Sequence, residues 1–156
     1  MLTVSLAPDI QHTLVQALGD AGTNECGGVL MGEHVGHNHF AVRKLTVQGG
    51  GRFASFVRGT RQAIRALGSF FKQSGHDYAR FNYLGEWHSH PSFSVQPSGT
   101  DHRSMLEIVT NPTVGANFVV LLIFRLADKG QLVGSAHTYL SDGSYAASTL
   151  VLEGQA

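Results

Sequence analysis

Apolar positions recur along this chain with two periods, and a third stretch has none. Ile10, Leu14 and Leu18 stand at i, i+4 and i+8, widened by Val15 and Ala17. That is one stripe of an amphipathic helix. Pro8 and Asp9 suit its first turn, since Pro lacks only an amide that is unpaired there and Asp faces the positive helix end. Gly19 and Gly22 are expected to close it. Ile64, Leu67 and Phe71 repeat the pattern, with Ala63 and Phe70 beside them, and predict a second helix over 60–72. Arg61 and Arg65 fall on its wet face, and Ser74-Gly75-His76 ends it. Met105, Ile108 and Val109 predict a third helix, opened by Ser98 to Asp101 and stopped by Asn111-Pro112. Alternating or β-rich runs predict strands at 2–6, 25–31, 40–47, 53–57, 81–87, 132–140 and 148–152. The run 118–124 does not alternate; it is apolar throughout, as in a strand buried on both faces. Asp128-Lys129-Gly130 and Asp142-Gly143-Ser144 read as turns. The order of elements predicts an α/β sandwich, a mainly β core with helices on its flanks.

Composition narrows the class. With 156 residues the expectation is a single domain, 1–156, large enough for its own core. Eleven basic and eleven acidic residues cancel, so no electrostatic footprint for nucleic acid or an acidic membrane is expected. The longest apolar run is too short to span a bilayer. The N-terminus lacks the basic and apolar regions of a signal peptide, and one Cys cannot form an intrachain disulfide. These features predict a cytoplasmic protein with no membrane partner.

The candidate chemistry lies in Gly85-Glu86-Trp87-His88-Ser89-His90-Pro91 and onward to Asp101. On an extended strand His88 and His90, at i and i+2, point to one face. Asp101 follows at a helix start. Two His and one carboxylate make three ligands, and a catalytic zinc site typically has three protein ligands with the fourth position left for water. A structural site built of Cys is excluded by the single Cys. Pro91 and Pro97 bracket the loop between His90 and Ser98 and limit its freedom. Ser98 suits an N-cap. Glu86, two residues before His88, faces the same side as a partner that orients an imidazole or as a solvated carboxylate. Gly27-Gly28 either lets another backbone come close, as a substrate chain lying against the strand must, or marks a bulge. His34, His37 and His39 crowd a turn at 33–39 and read as a solvated hairpin rather than a second metal site. His137, within a strand, reads as packed or hydrogen-bonded.

His88-Ser89-His90, seven residues, Ser98, two residues and Asp101 form H-S-H-x7-S-x2-D. This resembles the signature of the JAMM (JAB1/MPN/Mov34) metalloproteases at every fixed position. The family's upstream glutamate, in an E-x-G-G-x-L-x-G context, is matched by Glu25-Cys26-Gly27-Gly28-Val29-Leu30-Met31-Gly32. The resemblance covers most of the chain. It implies the JAMM/MPN fold, similar to that of cytidine deaminases, whose own H-x-E and P-C-x-x-C signature has no counterpart here. It implies Zn2+ held by His88, His90 and Asp101, with Glu25 as proton carrier and Ser98 as oxyanion donor. It also implies a zinc isopeptidase or peptidase acting on a ubiquitin-like protein or its conjugates, of the kind found beside co-encoded E1-like and E2-like proteins in bacterial antiphage systems. Two other readings stay open. One is a peptidase acting on a sulfur-carrier or other small protein; the other is a non-catalytic MPN scaffold. The region around 53–57 corresponds to the insertion that contacts substrate in many members.

Overall fold

The apolar run near residue 120 is where the architecture starts. It forms β6 (Phe118–Leu126). Val120, Leu122 and Phe124 enter one buried cluster, while Val119, Leu121 and Ile123 enter another on the opposite face. A strand with helices on both sides needs no polar face, which is why the run does not alternate. The protein is described by a computed structural model that covers residues 1–49 and 61–155. The expected strand at 53–57 and the expected helix start at Thr60 lie outside the described residues.

The other elements are β1 (Thr3–Leu6), α1 (Pro8–Ala21), β2 (Cys26–Gly36), β3 (His39–Leu45), β4 (Gln48–Gly49), α2 (Arg61–Gln73), β5 (Phe81–Ser89), α3 (Gly99–Thr110), β7 (Leu132–Leu140) and β8 (Tyr145–Leu152). The strand order is β3-β1-β8-β7-β6-β5-β2-β4. β3 also pairs with β2, so the sheet curls until it closes on itself. β1 runs parallel to β3 and to β8, and β5 runs parallel to β6; the other pairings are antiparallel. Ile10, Leu14 and Leu18 of α1 fill one face of this sheet together with Trp87, Leu122 and Phe124. On the other face α3 packs on β6 and β7, and α2 packs on β2 and β5. None of the described helices is long and apolar enough to cross a membrane.

Several boundaries differ from the sequence expectation, each for a local reason. α1 runs through Gly19 and ends only at Gly22, whose φ of 61° suits glycine. β2 continues to Gly36, so 33–36 is strand and the turn is confined to His37 and Asn38. β8 begins three residues early, at Tyr145. The phase of α2 is shifted: Ala63 and Phe70 are buried, whereas Ile64 is 61% exposed. Ala63 fits under Val29 and Met31 because it is small, and its small apolar signal hides the true stripe.

Gly27-Gly28 marks close approach and not a bulge. A Cβ on Gly28 would lie 1.8 Å from the Thr46 carbonyl oxygen. Thr46 is stitched to both neighbours: its Oγ1 accepts from the Val29 N–H at 2.9 Å and its carbonyl accepts from the Trp87 indole at 2.8 Å. The backbone that comes close is therefore the chain's own. The irregularity between β2 and β5 lies further along, between Leu30 and Met31. Gly85 sits opposite, with φ 154° and no room for a side chain against Val120.

Candidate metal centre

Three elements deliver the predicted ligands. His88 is the next-to-last residue of β5, locked between Gly27 of β2 and Ile123 of β6. His90 lies one step past the strand, still tied by its N–H to the Phe124 carbonyl at 2.9 Å. Asp101 comes from the first turn of α3. There Ser98 is the N-cap, and a reciprocal capping box forms: Ser98 Oγ accepts from the Asp101 N–H at 3.1 Å, and Asp101 Oδ2 accepts from the Ser98 N–H at 2.8 Å. The cap that starts the helix thus also aims the carboxylate.

The donor atoms converge. His88 Nε2 and His90 Nε2 are 3.2 Å apart, His88 Nε2 is 3.3 Å from Asp101 Oδ1, and His90 Nε2 is 3.5 Å from Asp101 Oδ2. Zinc–nitrogen bonds of about 2.0–2.1 Å at tetrahedral angles require neighbouring donors roughly 3.3 Å apart. The imidazole pair is close to that spacing, each imidazole faces one of the two Asp101 oxygens, and all three side chains are buried. Among the described residues these three form the group of His, Cys, Asp or Glu side chains able to hold a metal ion.

The surroundings fix the ligands. His90 Nδ1 lies 2.7 Å from the Ser94 carbonyl, an acceptor only, so Nδ1 carries the proton and Nε2 keeps its lone pair for a metal. Phe93 stacks on the same ring, with centroids 4.1 Å apart, and is half exposed at the lip. Burial alone would raise the Asp101 carboxyl, but hydrogen bonding to His88, its charge, and the Ser98 donors hold it down to about 2. It is an anion throughout the neutral range, as a ligand must be.

Glu25 stands partly buried just before β2. Gly27 faces His88 across the sheet, and the Cys26 N–H donates to Ser89 Oγ at 2.9 Å. Glu25 thus stands two residues before the Gly27–His88 pair, just outside the paired register. Glu25 is not in the ligand group itself. Ser98 Oγ uses a lone pair in the cap, which leaves its O–H to donate; capping and donation therefore do not compete. Glu86 is fully buried, on the same face as His88, with the Tyr83 hydroxyl 3.5 Å away. It is not the solvated carboxylate that its residue type suggested.

Two nearby features, the Ser94 carbonyl and the His102–Tyr139 pair, escaped the sequence reading. Ser94 acts through its backbone, which leaves no side-chain signal. His102 Nδ1 lies 2.8 Å from the Tyr139 hydroxyl, and its ring stacks on Tyr145 at 4.3 Å. His137 is buried with its Nε2 2.9 Å from Ser135 Oγ, and burial, with the neighbouring His102, lowers its pKa. The expected packed, hydrogen-bonded role of His137 is what is found.

The profile described as prokaryotic homologs of the JAB domain matches residues 8–138. The chain belongs to this prokaryotic JAB-domain family. It is 31% identical over 115 residues to a protein named CD-NTase/cGAS isopeptidase from Enterobacter hormaechei subsp. hoffmannii (strain UCI 50), a match covering 71% of this chain and 61% of that one. It is 34% identical over 85 residues to a protein of the same name from Vibrio cholerae serotype O1, covering 53% of this chain and 52% of that one. The matches therefore span a little over half the length of these relatives. A Desulfitobacterium hafniense protein of known solution structure superposes with a TM-score of 0.67 at 20% identity, covering 97% of this chain and 94% of the other. That likeness concerns the fold alone, and it agrees with the α/β, JAMM/MPN architecture that the family carries.

Proposed function

We propose that this JAB-domain protein is a zinc-dependent isopeptidase or peptidase that cuts after the C-terminal tail of a ubiquitin-like protein, freeing it from a target or trimming its precursor. The observation that carries the reading is the convergence of His88, His90 and Asp101 at donor separations of 3.2–3.5 Å. The names of the two relatives support the isopeptidase class and a role in antiphage CD-NTase systems. In such a system, co-encoded E1-like and E2-like proteins attach what this enzyme removes. The intact ligand set, with Glu25 and Ser98 beside it, speaks against a non-catalytic scaffold.

His88, His90 and Asp101 would hold the zinc, which would supply Lewis acidity and lower the pKa of a water toward about 7. Glu25 takes a proton from the attacking water at its carboxylate and delivers it to the leaving amine nitrogen. The Ser98 O–H donates to the substrate carbonyl oxygen as that oxygen gains negative charge. Gly27 lets β2 lie close against β5 at His88, since a Cβ there would meet the Trp87 carbonyl oxygen at 2.6 Å. The capping box holds Asp101 in place while these protons move. Water adds across the amide, and the products are a carboxylate tail and a free amine.

A site seated at a strand end takes an extended segment, which a folded modifier offers at its tail. The test is a co-encoded ubiquitin-like protein fused to a reporter and incubated with wild type and with Glu25→Ala. Cleavage by wild type alone, lost when the modifier's tail is shortened, is the expected result. Cleavage by both proteins, or by neither across all co-encoded candidates, rules the reading out. Cleavage of a sulfur-carrier fusion in place of the modifier moves the assignment to the other small-protein substrate.

A further inference from the structure

β7 carries none of the metal ligands, yet two of the three ligands lean on it. Ser135, His137 and Tyr139 stand at i, i+2 and i+4 and face the α3 side of the sheet. In the register, Ser135 is opposite Ile123 of β6, which is itself paired with His88 of β5. The row therefore runs about 10 Å from the ligand strand, two strand spacings away. The ligand loop and the first turn of α3 bridge that distance.

The Ser135 hydroxyl donates to the Val95 carbonyl, in the middle of the loop that joins His90 to Ser98. A hydroxyl has one proton, so Ser135 Oγ must accept from His137 Nε2, 2.9 Å away. Val95 is adjacent to Ser94, whose carbonyl sets the tautomer of His90. At the other end of the row the Tyr139 hydroxyl and His102 Nδ1 are hydrogen-bonded at 2.8 Å, and Tyr145 covers the His102 ring. His102 is the residue after Asp101. One end of the row thus holds the His90 loop and the other holds the turn that carries Asp101.

We propose that Ser135, His137 and Tyr139 are positioning residues: a largely buried brace on β7 that fixes the two ligands supplied from outside β5 and so sets the affinity of the site for zinc. The inference rests on the metal reading given above, and its test separates the two. Hydrogen-bonded groups behind ligands typically govern affinity by roughly 10–100-fold.

The experiment is competition of the purified protein with a chromophoric chelator for zinc, alongside thermal unfolding of the metal-free forms. Ser135→Ala and Tyr139→Phe are each expected to weaken zinc binding by about 10–100-fold. Ser135→Thr, which keeps the hydroxyl, is expected to restore it. Thr138→Val removes a comparable bond to Ser148, 2.6 Å long, from the opposite face of the same strand and should leave zinc affinity unchanged. If wild type binds zinc and Ser135→Ala binds it equally well, the brace is overturned while the metal centre stands. If Ser135→Ala and Thr138→Val lower zinc affinity and metal-free stability alike, the row is only structural and the proposal fails. If wild type binds no zinc, the metal reading falls first. Ser135→Ala alone carries the decision should Tyr139→Phe not fold.

Discussion

Two regions of this protein are rich in histidine, at opposite ends of β2, and only one gathers its side chains around a point. At the hairpin, His34, His37 and His39 fall within six residues. Each has its own partner: His34 stacks on Phe40 with centroids 4.7 Å apart, His37 Nε2 lies 3.5 Å from Asn38, and His39 Nε2 lies 3.0 Å from Ser5 Oγ. At the strand end, His88 and His90 are joined by Asp101, eleven positions further on, and all three are buried with donors face to face. A cavity of about 350 Å³ lies at the hairpin end, lined in part by His34, Phe40, Arg80 and Phe118. Neither local histidine density nor an available hollow makes a metal centre. A group able to hold a metal needs convergence, which is produced here by a strand period of two, a helix cap and a short loop acting together.

The comparison breaks most cleanly at the ligands. His88→Ala or Asp101→Ala should weaken zinc binding by more than the roughly 10–100-fold that a lost supporting group costs, and abolish cleavage with it. His34→Ala and His37→Ala should leave zinc stoichiometry and affinity unchanged. Metal analysis and chelator competition on the same set of variants decide it; a hairpin variant that loses zinc would reverse the assignment of the two regions.

Next in size is the split between holding metal and moving protons. Glu25→Gln removes the proton carrier but no ligand, so turnover should drop by about 10²–10⁴-fold, the usual reach of general acid–base catalysis. Zinc should stay bound with wild-type affinity. The same turnover loss in Glu86→Gln, with Glu25→Gln active, would move the base to the buried carboxylate.

Ser98 tests whether cap and catalyst are two jobs of one side chain. Glycine caps a helix nearly as well as serine, at a cost of only a few tenths of a kcal/mol, but has no hydroxyl. Ser98→Gly should therefore lower kcat on the order of a hundredfold while KM and melting temperature change little. A fall in melting temperature with kcat intact would leave only the capping role.

Much of this was legible in the chain because it depends on local periods. The i, i+2 histidines, the S-x-x-D cap and the unbroken apolar run of β6 each state their geometry over a few residues. The rest depends on partners distant in sequence. Closure of the sheet by β3 against β2 leaves no pattern in either strand. The carbonyl of Ser94 has no residue-type signature, and the bond from Ser135 to Val95 joins positions forty apart. Glu86 stood undecided between solvent and interior because a glutamate type argues for exposure, whereas its place in β5, covered from the α2 and α3 side, buries it. Ile64 drew the helix stripe one position too far because Ala63 carries so little apolar signal.

The smallest expected effect lies back at the hairpin, where charge serves stability alone. Glu33 is buried and reaches two cations: Arg43 Nε lies 2.7 Å from Oε1, and an Arg80 guanidinium nitrogen lies 2.6 Å from Oε2. Hydrogen bonding to Arg43, then to Arg80, holds its carboxyl below the ordinary 4.5 against the opposing effect of burial. A depressed carboxylate contributes stability above its unfolded pKa, and that contribution is lost as pH falls through the folded value. Breaking a buried pair typically costs about 3–5 kcal/mol, but both arginines are more than a third exposed and screened by water, so about 1–2 kcal/mol is expected here. Glu33→Gln should therefore be less stable than wild type by that amount at pH 7, with the gap closing below about pH 4. Denaturant titration of the metal-free protein at the two pH values measures it; Asp101 titrates alike in both proteins and cancels. Zinc affinity at neutral pH should not move. A stability gap that does not narrow at all as the pH falls below about 4 would mean that Glu33 acts by packing rather than charge, and a loss of zinc affinity would mean that the two ends of β2 are coupled after all.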